Sequence, residues 1–385
     1  MIYIIIGLLS FILAIHFDIN KAQRGKKFSY RLLLLIFIVI PAIRFRVGGD
    51  TIRYMDMYYQ FYNADFSSFL FLNRYLPLWT LLLRTLNHIC SNFVLFQIVH
   101  AVFINSVFFW FFKKYSNHYF ICVFLFYFYS YFQFNFETLA ESISICFFLL
   151  GLESCINHKW VKYYTLVLIA VLFHPGAVIL CIVPFFLSDT IKGKKIIILI
   201  ILYFVLLFSW ALLYDSFGIL LSIFGDDRGV YIKSTELYNF NALIYGTLER
   251  TIVPFIIYIY GIKIGLVTRV NQLMFFVFFI AVLTSTILGL NRYYNYITVF
   301  QIVYFADLIS LLYKIKNVTV INYAFHRVAV ILIMVFVVYT RVITFHFQDT
   351  SKIIHNTHLY NRYYPYYTVF NPTVDRVREQ LIDNW

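Results

Sequence analysis

Residues 93–112 read FVLFQIVHAVFINSVFFWFF, and Lys113 and Lys114 follow directly. As a helix rising about 1.5 Å per residue, a predominantly apolar run of this length covers the roughly 30 Å of a bilayer's hydrocarbon core. In lipid only a helix satisfies its own backbone, so the run is a transmembrane helix, and the lysine pair marks its cytoplasmic end. Comparable runs, some shorter, recur from the first residues to about Phe347. Hydrophobic residues make up 62% of the chain, charged residues 13%, and mean hydropathy is +0.79, which leaves too little polar surface for a soluble globule. The fold class that follows is an all-α integral membrane protein, a polytopic bundle of about 11 to 13 transmembrane or re-entrant helices.

The formal net charge is +13. Lys and Arg are scattered singly or in short clusters between apolar runs rather than along one basic face, so no nucleic-acid partner is expected. Placing the clusters Lys21 to Lys27, Lys113-Lys114, Lys159 to Lys162, Lys192 to Lys195, Lys263 to Arg269 and Lys314 to Lys316 in the cytoplasm fixes a topology. The number of crossings between Lys27 and Lys113 must then be even, yet apolar runs at Tyr30 to Ala42, Pro77 to Ile89 and Phe93 to Phe112 lie there. The middle one carries Arg84 and His88 and is expected to lie as an amphipathic helix in the outer interface. Between Lys162 and Lys192 two full spans barely fit, and His174-Pro175-Gly176 interrupts the segment, so a re-entrant hairpin of two short helices is expected.

Further crossings fall near residues 119–135, 139–156, 196–213, 251–267, 272–289, 296–313 and 327–346, with both termini outside. Met1 to Phe17 lacks a basic leader and a cleavage site and reads as a retained first helix. Residues 1–346 form the transmembrane domain, with outer loops at about 44–92 and 214–250, and residues 347–385 form an aromatic-rich extramembrane tail. Cys90, Cys122, Cys146, Cys155 and Cys181 lie in or beside apolar helices without a CxxC pair or clustered histidines, so neither disulfides nor zinc is expected, and no cofactor.

The polar residues collect at the outer helix ends. Arg44-Phe45-Arg46-Val47-Gly48-Gly49-Asp50-Thr51, with Tyr54 beyond, brings arginines, a glycine turn and a carboxylate together. Arginine's planar fork suits phosphate oxygens, and glycines allow a ligand close to the backbone; a snorkelling pair and an Asp helix cap would use the same residues. Glu137 and Glu141 stand one helical turn apart and need cations; either could orient an arginine or accept a proton from a hydroxyl. His174 sits at a helix break, where an ionisable side chain is costly and marks function, or satisfies carbonyls that Pro175 leaves open. Glu249-Arg250 and Asn291-Arg292-Tyr293-Tyr294 add two cations at outer helix ends, where interfacial anchoring is the bland reading. Asp226, Asp227, Arg228 and Glu236 read as a solvated loop.

This order of motifs, Arg46-Val47-Gly48-Gly49-Asp50-Thr51 and Tyr54, then Phe173-His174, then Arg292-Tyr293, resembles the EpsG-like branch of the Wzy-type polysaccharide polymerases, over most of the chain up to about Tyr313. The resemblance implies a bacterial inner-membrane, multi-pass glycosyltransferase with a GT-C-like helical fold. It would join oligosaccharide repeat units carried on undecaprenyl pyrophosphate into O-antigen, capsule or exopolysaccharide at the periplasmic or exterior face. A chain-length regulator and a flippase of the same pathway, and membrane lipid, are the partners it implies. On that basis Arg46, Arg250 and Arg292 face the pyrophosphate with Arg44 in support. Asp50, Glu141 or His174 is the base or acceptor-orienting group, and Thr51, Tyr54, Glu137 and Tyr293 line the substrate site. A lipid-linked oligosaccharide flippase would also need cations and a broken helix, but these charges cluster at one face and the halves show no repeat. An O-antigen ligase would perform related chemistry, usually with a larger late outer loop.

Overall fold

A computed structural model describes residues 2–60, 76–188, 191, 193–223, 240–314, 320–338 and 361–383. Asp226, Asp227, Arg228 and Glu236 lie outside these residues. The described chain is helical without β-strands, apart from isolated bridges at Arg44–Thr368 and Thr368–Asn371. Among the described residues, the helices long and apolar enough to cross a membrane are Ile2–Ile19, Val94–Tyr115, Leu139–Ile156, Leu243–Lys263 and Leu290–Lys314. Shorter apolar helices include Tyr119–Tyr131, Trp160–Phe173, Pro175–Phe186, Asn271–Thr286 and Ala324–Phe336. This is the polytopic helical membrane fold expected from the apolar runs.

Two compact units emerge, Met1–Cys181 with Tyr313–Trp385, and Ile182–Leu312. In the first, α1 (Ile2–Ile19) packs on α6 (Tyr119–Tyr131), α2 (Lys26–Ala42) on α5 (Val94–Tyr115), and α7 (Leu139–Ile156) on both α5 and α8 (Trp160–Phe173). The amphipathic α3 (Gly49–Gln60) and α4 (Pro77–Ile89) lean on each other and, in turn, on the Gln133–Glu137 turn and on α8.

Asp18 joins α1 to α6 because its carboxylate accepts the backbone N–H groups of Phe120 and Ile121 at 2.8 and 3.0 Å, where a helix start presents unsatisfied donors, and it pairs with Lys26 at 3.3 Å. Rings fill the interior: Phe108 stacks on Phe134 at 5.2 Å, and Tyr30 and Tyr131 donate their hydroxyls to Phe109 O and Phe37 O at 2.8 and 3.0 Å. Below Glu137 the chain widens into π turns at Tyr127–Tyr131 and Gln133–Glu137, a geometry that accommodates an extra residue per turn.

In the second unit α9 (Lys194–Ile223) packs against α11 (Met274–Thr286), and α10 (Val253–Lys263) meets α12 (Asn295–Lys314) through the Tyr304 hydroxyl, which donates to Tyr258 O at 2.9 Å. Gly261 lies under that tyrosine, where a Cβ would collide with the hydroxyl.

Candidate functional site

The Arg44–Thr51 turn is held by side chains and backbone from several parts of the first unit. Arg44 follows the end of α2 and is fully buried. It is no snorkelling side chain. Its Nε donates to Thr51 Oγ1 at 3.3 Å, Nη1 donates to Pro41 O, and the guanidinium lies 5.1 Å from the Phe136 ring centroid. Nη2 is buried without a hydrogen-bond partner, and none of the described carboxylates forms an ion pair with Arg44. Burial pulls its pKa down to about 10, which still leaves it charged at neutral pH.

The Thr51 hydroxyl in turn donates to Phe136 O at 3.1 Å, so Arg44, Thr51 and the end of the π turn form one hydrogen-bonded chain. The glycines serve this junction rather than a ligand. A Cβ on Gly48, which holds φ at +101°, would stand 2.5 Å from Phe136 O, and one on Gly49 would stand 2.6 Å from the Glu137 carboxylate. Asp50 falls inside the first turn of α3 instead of preceding it.

Glu137 and Glu141 do not share one helix. Thr138, at φ −92° and ψ 61°, separates the π turn that ends on Glu137 from α7, whose first turn holds Glu141. The two acids therefore differ. Glu137 accepts the Gly49 N–H at 3.0 Å and pairs with Arg362 at 3.6 Å, while Glu141 is 2% exposed within α7.

Arg46 adopts φ +52°, a conformation a side-chain-bearing residue rarely takes. It forms an ion pair with Glu379 from the last described helix, α13 (Arg376–Asp383), and Arg378 donates to Arg46 O at 2.9 Å. That hydrogen bond with Glu379 raises the Arg46 pKa. The backbone of residues 361–369 is tied to the same turn: Gly48 N donates to Arg362 O, Phe45 N to Tyr367 O and Val369 N to Ile43 O, at 2.9 to 3.0 Å. Tyr54 stacks edge-on to Trp79 of α4 at 4.7 Å.

His174 ends α8 in an extended conformation, with its N–H on Ala170 O at 2.9 Å and a 3-10 segment from Pro175 to Ile182 beyond. The helix break foreseen at this position is there.

The remaining arginines belong to the second unit. Arg250 donates to Thr284 O at 2.9 Å and to Asn291 Oδ1 at 2.5 Å, and its guanidinium faces the Tyr294 ring at 5.7 Å. Arg292 is exposed on a 3-10 turn, and Tyr293 meets Tyr296 at 6.5 Å.

A family model described as the EpsG family matches residues 27–368, a stretch that holds both arginine turns and the His174 break. The chain belongs to the EpsG family. No curated protein and no solved structure matches it. Family membership makes it a membrane protein of polysaccharide biosynthesis.

The structure of this EpsG-family chain adds residues that the sequence reading passed over. His100 of α5 is buried against α7, its Nε2 lying 3.1 Å from both Ser142 Oγ and Leu139 O, with Nδ1 unpartnered. A signal for it exists, since Gln97, His100 and Asn105 punctuate an otherwise apolar span, where polar groups are costly. Arg362, Arg378 and Glu379 carry no such local signal; only the fold brings them to Arg46 and Glu137.

Proposed function

We propose that this EpsG-family protein is a polysaccharide repeat-unit polymerase, a glycosyltransferase that moves a growing glycan from undecaprenyl pyrophosphate to a sugar hydroxyl of a new lipid-linked unit at the outer face of the bacterial cytoplasmic membrane. The observation that supports it most is Arg44: a buried guanidinium with one nitrogen unpartnered and, among the described residues, no carboxylate ion pair. An uncompensated buried cation is costly, and an anionic ligand would remove the cost. In glycosyl transfer from a lipid pyrophosphate, negative charge builds on the leaving oxygen, and cations fixed beforehand lower that barrier without a nucleotide or a metal having to be invoked.

In this reading the candidates to meet the pyrophosphate are Arg46 of the first unit and Arg250 and Arg292 of the second, with Arg44, its fork held by Thr51 and Pro41, in support of Arg46. Glu141 is the favoured group to orient or deprotonate the acceptor hydroxyl, with Asp50 and His174 as the other candidates. Its near-complete burial is the environment that suits a carboxylate to general-base work. Thr51, Tyr54 and Glu137 in the first unit and Tyr293 in the second are the candidate substrate-binding residues.

The test is the size distribution of surface polysaccharide in a deletion strain complemented with wild type, Arg46→Ala or Arg292→Ala, with membrane levels checked. Collapse of the ladder to single repeat units in the deletion and both variants supports the polymerase. Long chains persisting in the deletion overturn it, and repeat units trapped on the cytoplasmic side point to a flippase.

A further inference from the structure

Arg46 is gripped twice by α13, and the two grips differ. Arg378 holds the backbone. It is buried, its Nη1 donates to Pro365 O at 2.7 Å and its Nη2 to Arg46 O at 2.9 Å, and its guanidinium lies 4.9 Å from the Tyr367 ring centroid. The next residue, Glu379, holds the side chain by accepting from Arg46 Nε, and this pair is partly open to solvent, its side chains 17% and 21% exposed. Asp375 caps the helix start: its carboxylate accepts the Arg378 N–H at 3.2 Å and its carbonyl the Glu379 N–H at 3.1 Å. The backbone under Glu379 is therefore fixed without the ion pair, and the carboxylate can turn away while the helix stays docked.

The rest of the Arg46 fork lacks a strong acceptor. Among the described residues, Nη1 meets the Met55 sulfur at 4.0 Å, and a thioether accepts weakly. Asp56, next along α3, acts on the same cation through its field, whereas Glu379 is the described carboxylate that ion-pairs with it. The φ of +52° at Arg46, pinned by Arg378, fixes the point from which the guanidinium projects. A carboxylate and a phosphate oxygen make the same charge-assisted bond to a guanidinium. Glu379 thus stands where an anionic ligand of Arg46 would stand, and its tether keeps it there at high effective concentration. A partly solvated ion pair is weak, and a diphosphate, with two or more charges, roughly doubles the attraction a single carboxylate offers.

We propose that Glu379 is a built-in competitor at Arg46, a tethered carboxylate that fills the arginine between turnovers and that the diphosphate of an arriving substrate displaces while Arg378 keeps α13 docked. This rests on the polymerase reading, in which Arg46 meets a pyrophosphate, and adds the control of that contact. The affinity of the site is then set by the difference between two anions.

The experiment titrates inorganic diphosphate calorimetrically into the full-length protein in maltoside detergent. Glu379→Gln keeps the shape and removes the charge; it should bind about tenfold tighter than wild type, because both the competing pair and the repulsion from the displaced carboxylate are gone. Asp56→Asn removes a nearby charge that occupies no Arg46 donor and should gain about twofold at most. Adding Arg46→Ala to Glu379→Gln should abolish the gain. The Glu379 change is nearly isosteric at a partly solvated site, so the variant folds, and its melting temperature checks this. Affinity in Glu379→Gln equal to or below wild type, an equal gain from Asp56→Asn, a gain that survives Arg46→Ala, or no binding by wild type and Glu379→Gln alike overturns the proposal and leaves Glu379 a structural clamp. Binding is read without polymer formation. Long chains persisting in the deletion strain together with the tenfold gain remove the polymerase reading and leave the competitor standing, and a collapsed ladder without the gain does the reverse.

Discussion

The turns at residues 44–51 and 288–294 share their ingredients, arginine beside an aromatic ring at a helix end, and differ in how those ingredients are held. Around Arg44, a main-chain carbonyl, a hydroxyl and a ring fix the guanidinium in a buried site, and residues 361–369 bind the turn's backbone. Arg292 is exposed on its 3-10 turn. A cation fixed in advance costs stability when no anion is near but loses no freedom when one arrives. An exposed one costs nothing until binding, when it surrenders up to about 2 kcal/mol of rotamer entropy.

The sharpest way to break this contrast is Arg44→Lys, which keeps the charge and loses the fork. Polymer formation should fall about a hundredfold, roughly 3 kcal/mol of lost stabilisation, with protein levels near wild type. Activity close to wild type would reduce Arg44 to a structural cation. Gly48→Ala attacks the scaffold instead: the new Cβ meets Phe136 O in a backbone conformation that disfavours it, and thermal unfolding in detergent should show a loss of about 2 kcal/mol.

Arg292→Ala should separate function from stability, lowering polymer yield about tenfold while stability stays within about 0.5 kcal/mol. A large drop in melting temperature would mean the second turn is as built-in as the first. The smallest effect belongs to Glu379→Gln. The ion pair with Arg46 is partly solvated, and its loss should cost about 0.5 kcal/mol, measurable as a slight fall in melting temperature.

The helices were legible because apolar length in lipid leaves the backbone a single option, and the break at His174 because proline removes a donor at a known place. The arginine turn was legible as a cluster but not as an environment. Nothing local in Arg44-Phe45-Arg46 tells that the first side chain turns inward while the second reaches a carboxylate 333 positions on. The pairing of Glu137 with Glu141 was misjudged because regular helical spacing was assumed across Thr138, where a π turn ends and a new helix starts. Arg362 and Glu379 lay beyond any spacing argument. The EpsG family model confirmed the resemblance carried by the motifs, and it extends past Tyr313 to residue 368, within the stretch where the tail's backbone joins the turn.

That junction sets an order of events during biogenesis. The turn at residues 43–48 enters the membrane early, but its backbone partners are Arg362, Tyr367 and Val369. Ribosomal synthesis must therefore travel over 300 residues further before the turn acquires its final hydrogen bonds. A nascent chain stalled or clipped before residue 361 would lack these partners and stay unfinished at Arg44 and Arg46.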